Sequence, residues 1–473
     1  MKALRDCEIG IIGLGTMGRN LLLNIAEEDF PVVGLDQDGA KVLLVENEPK
    51  TGADFGATSD LKTFVSALKL PRVVLLLVPA GAPVDSVIHE IVPHLDPGDL
   101  LIDAGNSHFK DTDRRQIHLK MQGIHFFGMG VSGGEVGART GPSLMPGGDR
   151  TAYDRICPIL EAIAASASGE PCVTYLGPTS AGHYVKMVHN GIEYGLMQLI
   201  AETYYVMKTV LKVTDDECHE IYAEWNRSEL SSYLLEITAQ VFLKRDDRGS
   251  GFLMDVVRDV AKQKGTGKWT CQDAMELQVP VPTMDAAVAV RDLSGYVADR
   301  KIANALWAGP EITTPKDRGA FLKQLRNAFY ACSIITFAQG MALLGRASEE
   351  YGYDLNLGMV ARIWRGGCII RATLLESIVD AYREEPRLSN LLLNGPLAGE
   401  IANRQSDFRS IVSYSATSGL PVPGMMASLA YYDSYRSAWL PTNLIQAQRD
   451  FFGAHTYERI DRPGIFHSDW STS

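Results

Sequence analysis

Three glycines in the run Gly13-Leu14-Gly15-Thr16-Met17-Gly18, directly after the apolar stretch Glu8 to Ile12, constrain the start of this chain more than any other feature. The first glycine suits a tight turn, the second lets an anionic group approach the backbone, and the third lets a following helix pack closely. A helix opening near Met17 points unpaired N–H groups at that turn, where a pyrophosphate binds well. A glycine turn with no ligand has the same composition, so context matters. The next strand-like run, PVVGLDQ, ends in Asp36, where a carboxylate can hold ribose hydroxyls.

The runs CEIGIIGLG, PVVGLDQ, RVVLLLVP, DLLIDAGN and HFFGMGV alternate with helical segments, which predicts a parallel sheet with helical crossovers. After about Pro178 the strand signal fades and helical periodicity runs to about Ser437. Within it, Lys186-Met-Val-His-Asn190 is echoed by Lys323-Gln-Leu-Arg-Asn327, Trp225 by Trp364, and Leu234-Leu235-Glu236 by Leu374-Leu375-Glu376. A nearly constant offset of this kind predicts two related helical units. From Pro441 the chain is polar and broken by Gly453, Pro463 and Gly464, yet Arg449 and His455 sit beside Phe451 and Phe452, which a frayed end does not require. The expected fold class is an α/β Rossmann domain over residues 1–179, a large all-α domain with an internal helical repeat over 180–437, and a C-terminal tail over 438–473.

A net charge of −12 argues against broad nucleic-acid binding, although a local basic cluster can still hold an anionic substrate. The N-terminus carries charges where a signal peptide needs an apolar core, and the longest apolar run is read as Val73 to Val78, too short to span a bilayer. No membrane contact is expected. The seven cysteines are scattered, with no CxxC pair and no zinc spacing, which fits a reducing cytoplasm and no structural metal.

Helix start signals in Gly177-Pro-Thr-Ser-Ala-Gly182 precede Lys186, His189, Asn190, Glu193, Tyr194 and Met197, which recur at spacings of three and four and so share one helix face. A core stripe would be apolar, whereas this face offers a base, an acid and hydrogen-bond donors. A solvated Lys–Glu face would look similar. The second copy, with Lys323, Arg326, Asn327, Tyr330 and Ala331, lacks the acid and tyrosine pair. Two further glycine-rich stretches stand out. Ser132-Gly133-Gly134-Glu135 is either a plain turn or a receptor for a carboxylate, and Lys264-Gly265-Thr266-Gly267-Lys268-Trp269 is either a basic surface loop or a phosphate site.

Taken together, GLGTMG, IDAGNS, GVSGGEVGARTGPSLMPGG, HYVKMVHNGIEYG, QKGTGKWT, IWRGGCIIR and QAQRDFFGAHTYER resemble the 6-phosphogluconate dehydrogenase family over nearly the whole chain. The resemblance implies oxidative decarboxylation of 6-phosphogluconate to ribulose 5-phosphate and CO2 with reduction of NAD(P), in a homodimer whose tail enters the partner subunit. It implies that Lys186 takes the C3 hydroxyl proton and that Glu193 protonates C1 of the enediol, with no metal. Ser132, Gly133 and Gly134 would hold the substrate carboxylate, and His189 and Asn190 its hydroxyls. Tyr194, Lys264, Thr266 and Arg291 would surround the phosphate, with Arg449 and His455 from the partner's tail. Gly13, Leu14, Gly15, Thr16, Met17, Gly18, Asp36, Gln37, Asp38, Val78, Pro79 and Ala80 would line the coenzyme, and Asn106 would touch both ligands.

The chain departs from the family at two places in its coenzyme segment. An Asn-Arg-Thr triplet usually ends the second strand, but here it reads Asp36-Gln37-Asp38, and Pro79 stands where the family has a lysine. A carboxylate facing a 2′-phosphate is repelled, so NAD is expected to be favoured over the family-typical NADP, with Lys41 arguing the other way. A β-hydroxyacid dehydrogenase acting on a small non-phosphorylated acid would have no use for Lys264, Thr266, Arg291 and Arg449. A non-catalytic dinucleotide-binding protein would have no use for Lys186 and Glu193.

Overall fold

In the computed structural model, which describes residues 4–49 and 52–471, the apolar runs line up as one seven-stranded sheet. Met1 to Ala3, part of the charged N-terminus, lie outside the described residues. The strands are β1 (Ile9–Ile12), β2 (Val32–Leu35), β3 (Phe55–Thr58), β4 (Val73–Leu76), β5 (Leu100–Asp103), β6 (His125–Ser132) and β7 (Ser143–Gly148), in the order β3-β2-β1-β4-β5-β6-β7. Neighbours run parallel except β6 and β7, which pair antiparallel with Ser132 opposite Ser143.

Strand alternation sends Ile9, Ile11 and Leu75 into one core layer with Leu21, Ile25 and Ile156, and Ile12, Val74 and Leu76 into another with Phe64, Val84 and Ile88. Helices on both faces explain why these strands read as unbroken apolar runs. Strands β3 and β7 are absent from the expected set. Their sequences, FGAT and SLMPGG, contain glycine and proline in place of an apolar run, and both are edge strands, where such residues are tolerated. The strand order reverses between β1 and β4, which opens a crevice at their carboxyl ends.

Beyond the sheet, the 30-residue helix Ala181–Val210 packs against the 34-residue helix Arg318–Tyr351. The repeat is visible as a reciprocal exchange: Tyr233 N donates to Arg371 O, Thr373 N donates to Ser231 O, and Ser232 bridges Ala372 antiparallel. Equivalent positions bonding each other in this way is the pattern of two related units about a local twofold axis.

The reading of Val73 to Val78 as the longest apolar stretch needs correction. Arg318–Tyr351 is long and apolar enough to cross a membrane by length and composition, but 89% of its most apolar window is buried inside the protein. Ser333, Thr336 and Gln339 interrupt the run and hide it from a search for unbroken apolar residues. Each is satisfied internally: the two hydroxyls donate to carbonyls four residues back, and Gln339 donates to Thr283 Oγ1.

The tail is more ordered than its broken, polar sequence suggests. It forms the helix Thr442–Gly453 and a hairpin of Tyr457–Glu458 with Ile465–Phe466. Asp450 organises both, accepting hydrogen bonds from Thr456 N, His467 Nδ1, Ser468 N and Trp470 Nε1.

Candidate active site

The helix Ala181–Val210 crosses β6 at close range. A Cβ at Gly130 would overlap the Cβ of Lys186, so glycine there is what lets the helix carry Lys186 up to the turn that follows Ser132. Lys186, His189 and Asn190 are buried, and Glu193 is half-buried. Burial is the largest influence on the Lys186 ammonium and lowers its pKa, with the charge of Glu193 opposing. Burial likewise raises the pKa of Glu193, against the charges of Lys186 and Arg291. The neutral amine and the protonated acid are therefore both more populated than in water.

His189 is driven well below its ordinary pKa, first by burial and then by Lys186, so its ring is neutral. Its Nδ1 lies 3.1 Å from Asn190 Oδ1 and its Nε2 3.3 Å from Ser132 Oγ. The amide oxygen can only accept, so Nδ1 donates to it and Nε2 accepts from the serine hydroxyl. Trp364, from the second helical unit, sets the edge of its ring against His189 at 5.6 Å and 77°. The same turn supplies Gly367 O, which accepts from Ser143 N, and Ile363 O, which accepts from Ser143 Oγ. This buttress of the serine-glycine turn lies within the motif IWRGGCIIR, for which the sequence suggested no role.

At the outer end of the face, the Arg291 guanidinium stacks 3.5 Å above the Tyr194 ring, and the exposed Met197 sulfur lies 3.6 Å from Arg291 Nη2. The stretch Lys264 to Trp269 is a loop only as far as Gly265, whose φ of 104° caps a helix running Thr266–Glu276. Thr266 is buried at its start, Lys264 is exposed, and Thr270 Oγ1 ties this helix to Met187 O at 2.8 Å. Among the described residues, Arg449 and His455 make no hydrogen bond or ion pair with the helix Ala181–Val210. Arg449 donates to Gln446 Oε1, His455 meets the Phe452 ring, and both are exposed.

At the sheet crevice lies a cleft of roughly 590 Å3 lined by Gly13, Gly15, Asp36, Gln37, Val78 and Pro79. Thr16 and Met17 open the following helix, and a Cβ at Gly15 would meet nothing, so the backbone is open to a ligand there. Asp36 accepts from Leu14 N at 2.7 Å and Asp38 N at 2.9 Å, and pairs with Lys41 at 3.3 Å. Burial pushes its pKa up, but these hydrogen bonds and the lysine outweigh burial and hold it below the ordinary value. Asp38 caps the next helix through Ala40 N. Ala80 and Asn106 are exposed on the loops after β4 and β5. Cleft, glycine turn and helix N-terminus together can receive a dinucleotide, with the Asp36 carboxylate at the cleft wall.

Comparison with known proteins bears on the whole chain. Residues 8–177 match the family described as the NAD binding domain of 6-phosphogluconate dehydrogenase, and residues 182–470 match 6-phosphogluconate dehydrogenase, C-terminal domain. A Bacillus subtilis protein named 6-phosphogluconate dehydrogenase, NADP(+)-dependent, decarboxylating is 50% identical, covering 98% of this chain and 99% of its own. An Escherichia coli protein named 6-phosphogluconate dehydrogenase, decarboxylating is 48% identical over the same shares. The Plasmodium falciparum 6-phosphogluconate dehydrogenase, solved apo, with NADP+ and with 6-phosphogluconate, superposes with a TM-score of 0.94 at 43% identity, covering 98% of this chain and 100% of its own. The expectation of NAD preference finds no support in these relatives, and NADP fits them better.

Proposed function

The chain belongs to the 6-phosphogluconate dehydrogenase family, and on that premise we propose how its own residues carry out the oxidative decarboxylation of 6-phosphogluconate to ribulose 5-phosphate and CO2. The observation that carries the reading is the opposed protonation of Lys186 and Glu193 on one buried helix face. Neutral Lys186 takes the proton of the C3 hydroxyl. A bound nicotinamide dinucleotide supplies the hydride acceptor. The resulting ammonium of Lys186 stabilises negative charge on the C3 oxygen as CO2 leaves, and protonated Glu193 delivers its proton to the former C2, which becomes C1 of ribulose 5-phosphate.

Ser132, Gly133 and Gly134 hold the carboxylate, and His189 and Asn190 the hydroxyls. Tyr194, Lys264, Thr266 and Arg291 hold the phosphate, and Asn106 contacts both ligands. The division of labour follows three segments, 1–179, 180–437 and 438–473. The last completes the site of a second copy with Arg449 and His455. Supporting this are the exposed apolar side chains beside those residues, with Leu444 61% and Phe452 72% exposed, as befits a segment destined for burial against a partner. A cytoplasmic location accords with its seven scattered cysteines, all free thiols.

NADP is the coenzyme that the relatives support. What supports NAD is confined to Asp36-Gln37-Asp38 and the missing loop lysine, while Lys41, already 3.3 Å from Asp36, is the cation that lines this cleft among the described residues. The purified protein is mixed with 6-phosphogluconate and each coenzyme, and absorbance of the reduced nicotinamide is followed. Absence of turnover with both removes the proposal. A kcat/KM ratio favouring NADP rejects the NAD reading, and in that case Lys41→Ala should lower the NADP value more than the NAD value.

A further inference from the structure

We propose that Arg115 is a positioning residue that locks the loop after β4 and the loop after β5 into one register, so that coenzyme and substrate meet at a set distance. The proposal rests on the site reading above, in which Val78, Pro79 and Ala80 line the coenzyme and Asn106 touches both ligands.

Arg115 lies on the inner face of the helix Phe109–Lys120, and its side chain is 2% exposed. Its guanidinium spends every arm on a different part of the two loops. Nη2 donates to Gly81 O at 3.0 Å, at the end of the coenzyme loop, and Nε donates to Asp85 Oδ1 at 2.8 Å, on the helix that this loop opens. Nη1 donates to Asp103 Oδ2 and to Ser107 Oγ, both at 3.2 Å, the two residues that bracket Asn106. Asp103, fully buried, also accepts from Ser107 Oγ at 2.6 Å and from Gly105 N at 3.0 Å, so the Asn106 loop is folded around the carboxylate that Arg115 holds.

One turn earlier on the same face, Thr112 Oγ1 meets His183 Nδ1 at 2.6 Å, and His183 lies one turn before Lys186. A single helix therefore indexes the coenzyme loop, Asn106 and the catalytic helix to one another. A planar fork with five donors suits this task, whereas an ammonium on a flexible stem cannot span both loops.

Arg115→Lys in the full-length enzyme tests the idea, since it keeps a cation beside Asp103 but breaks the bridge. A misplacement of the reacting groups of this kind is expected to lower kcat about 10- to 100-fold. Binding of the reduced coenzyme, read by its fluorescence, should weaken about tenfold, while that of 6-phosphogluconate stays within about threefold and the pH profile of kcat keeps its shape. A purely structural ion pair would lower the melting temperature and leave kcat of the folded fraction intact. Values of kcat and coenzyme affinity both within about twofold of wild type overturn the proposal.

If Arg115→Lys does not fold, Asp85→Asn loosens, of the four Arg115 contacts, only the Nε arm, together with the exposed pairing of Asp85 with Arg114. Coenzyme affinity should then fall roughly two- to fivefold, and an unchanged value overturns the proposal equally. Wild-type turnover of 6-phosphogluconate is measured alongside. Its absence sinks the functional reading itself, whereas wild-type turnover matched by the variants sinks only the role of Arg115.

Discussion

Lys186 and Glu193 stand two turns apart on one helix, and the base and acid roles proposed for them rest on burial more than on identity. Replacing either with a near-isostere that cannot ionise, Lys186→Met or Glu193→Gln, should cut kcat about 10²- to 10⁴-fold while the fold survives. Steady-state rates with matched circular dichroism check this, and near-normal turnover in either variant would remove that residue from the reaction. The stability consequence has a definite sign. The folded-state pKa of Glu193 is raised, so folding favours its protonated form, and stability falls as pH rises through the unfolded value of about 4.3 toward the folded one. Glu193→Gln should therefore melt higher than wild type at neutral pH, with the gap closing toward about pH 4. Melting curves across that range decide it, and a gap that widens on acidification contradicts the assignment. Spacing alone identified the face that carries these residues. Protonation on this face could not be read the same way, because what packs on it, Trp364 against His189 and the strand holding Gly130 against Lys186, comes from distant parts of the chain.

The catalytic helix also has a structural end. Glu202 is buried, and burial pushes its carboxyl up to about 7, opposed by hydrogen bonds from Gln198 Nε2, Met425 N and Gly424 N. It takes N–H groups from the first turn of the helix Pro423–Tyr435, whose own N-cap, Val422, has no side-chain acceptor to offer. Glu202→Ala should leave those groups unsatisfied and destabilise the protein by about 1–3 kcal/mol. The urea midpoint should fall accordingly. Turnover per folded molecule should hold, since sixteen residues of helix put Glu202 about 24 Å from Lys186. A loss of kcat without a loss of stability would reverse this account. No pattern in the sequence pairs Glu202 with Gly424, because the capping carboxylate comes from a different helix.

At the scale of the whole molecule, a single chain leaves Arg449 and His455 outside the cluster around Tyr194, on a tail already shaped by Asp450. Mixing a subunit truncated before residue 438 with a full-length Lys186→Met subunit should restore activity, since only the mixed dimer joins an intact Lys186 to an intact tail. Purified heterodimers with no activity would count against exchange of the tail. The truncated protein alone should bind 6-phosphogluconate more weakly, because loss of a charged hydrogen-bonding partner costs about 1.5–3 kcal/mol, or roughly tenfold or more in affinity.

Local chemistry was enough to reveal the glycine turn, five strands of the sheet, the helical repeat and the polar face of the catalytic helix, because each is a short-range pattern of backbone freedom or side-chain period. Edge strands β3 and β7 escaped, since an edge tolerates the glycine and proline that break an apolar run. So did the buttress at Trp364 and the bridge at Arg115, whose meaning depends on which loops converge on them. Sequence determined which groups were available for chemistry. Only the tertiary structure decided which of them lost their water, and it is desolvation at Lys186, His189 and Glu193 that separates a reactive face from a solvated one.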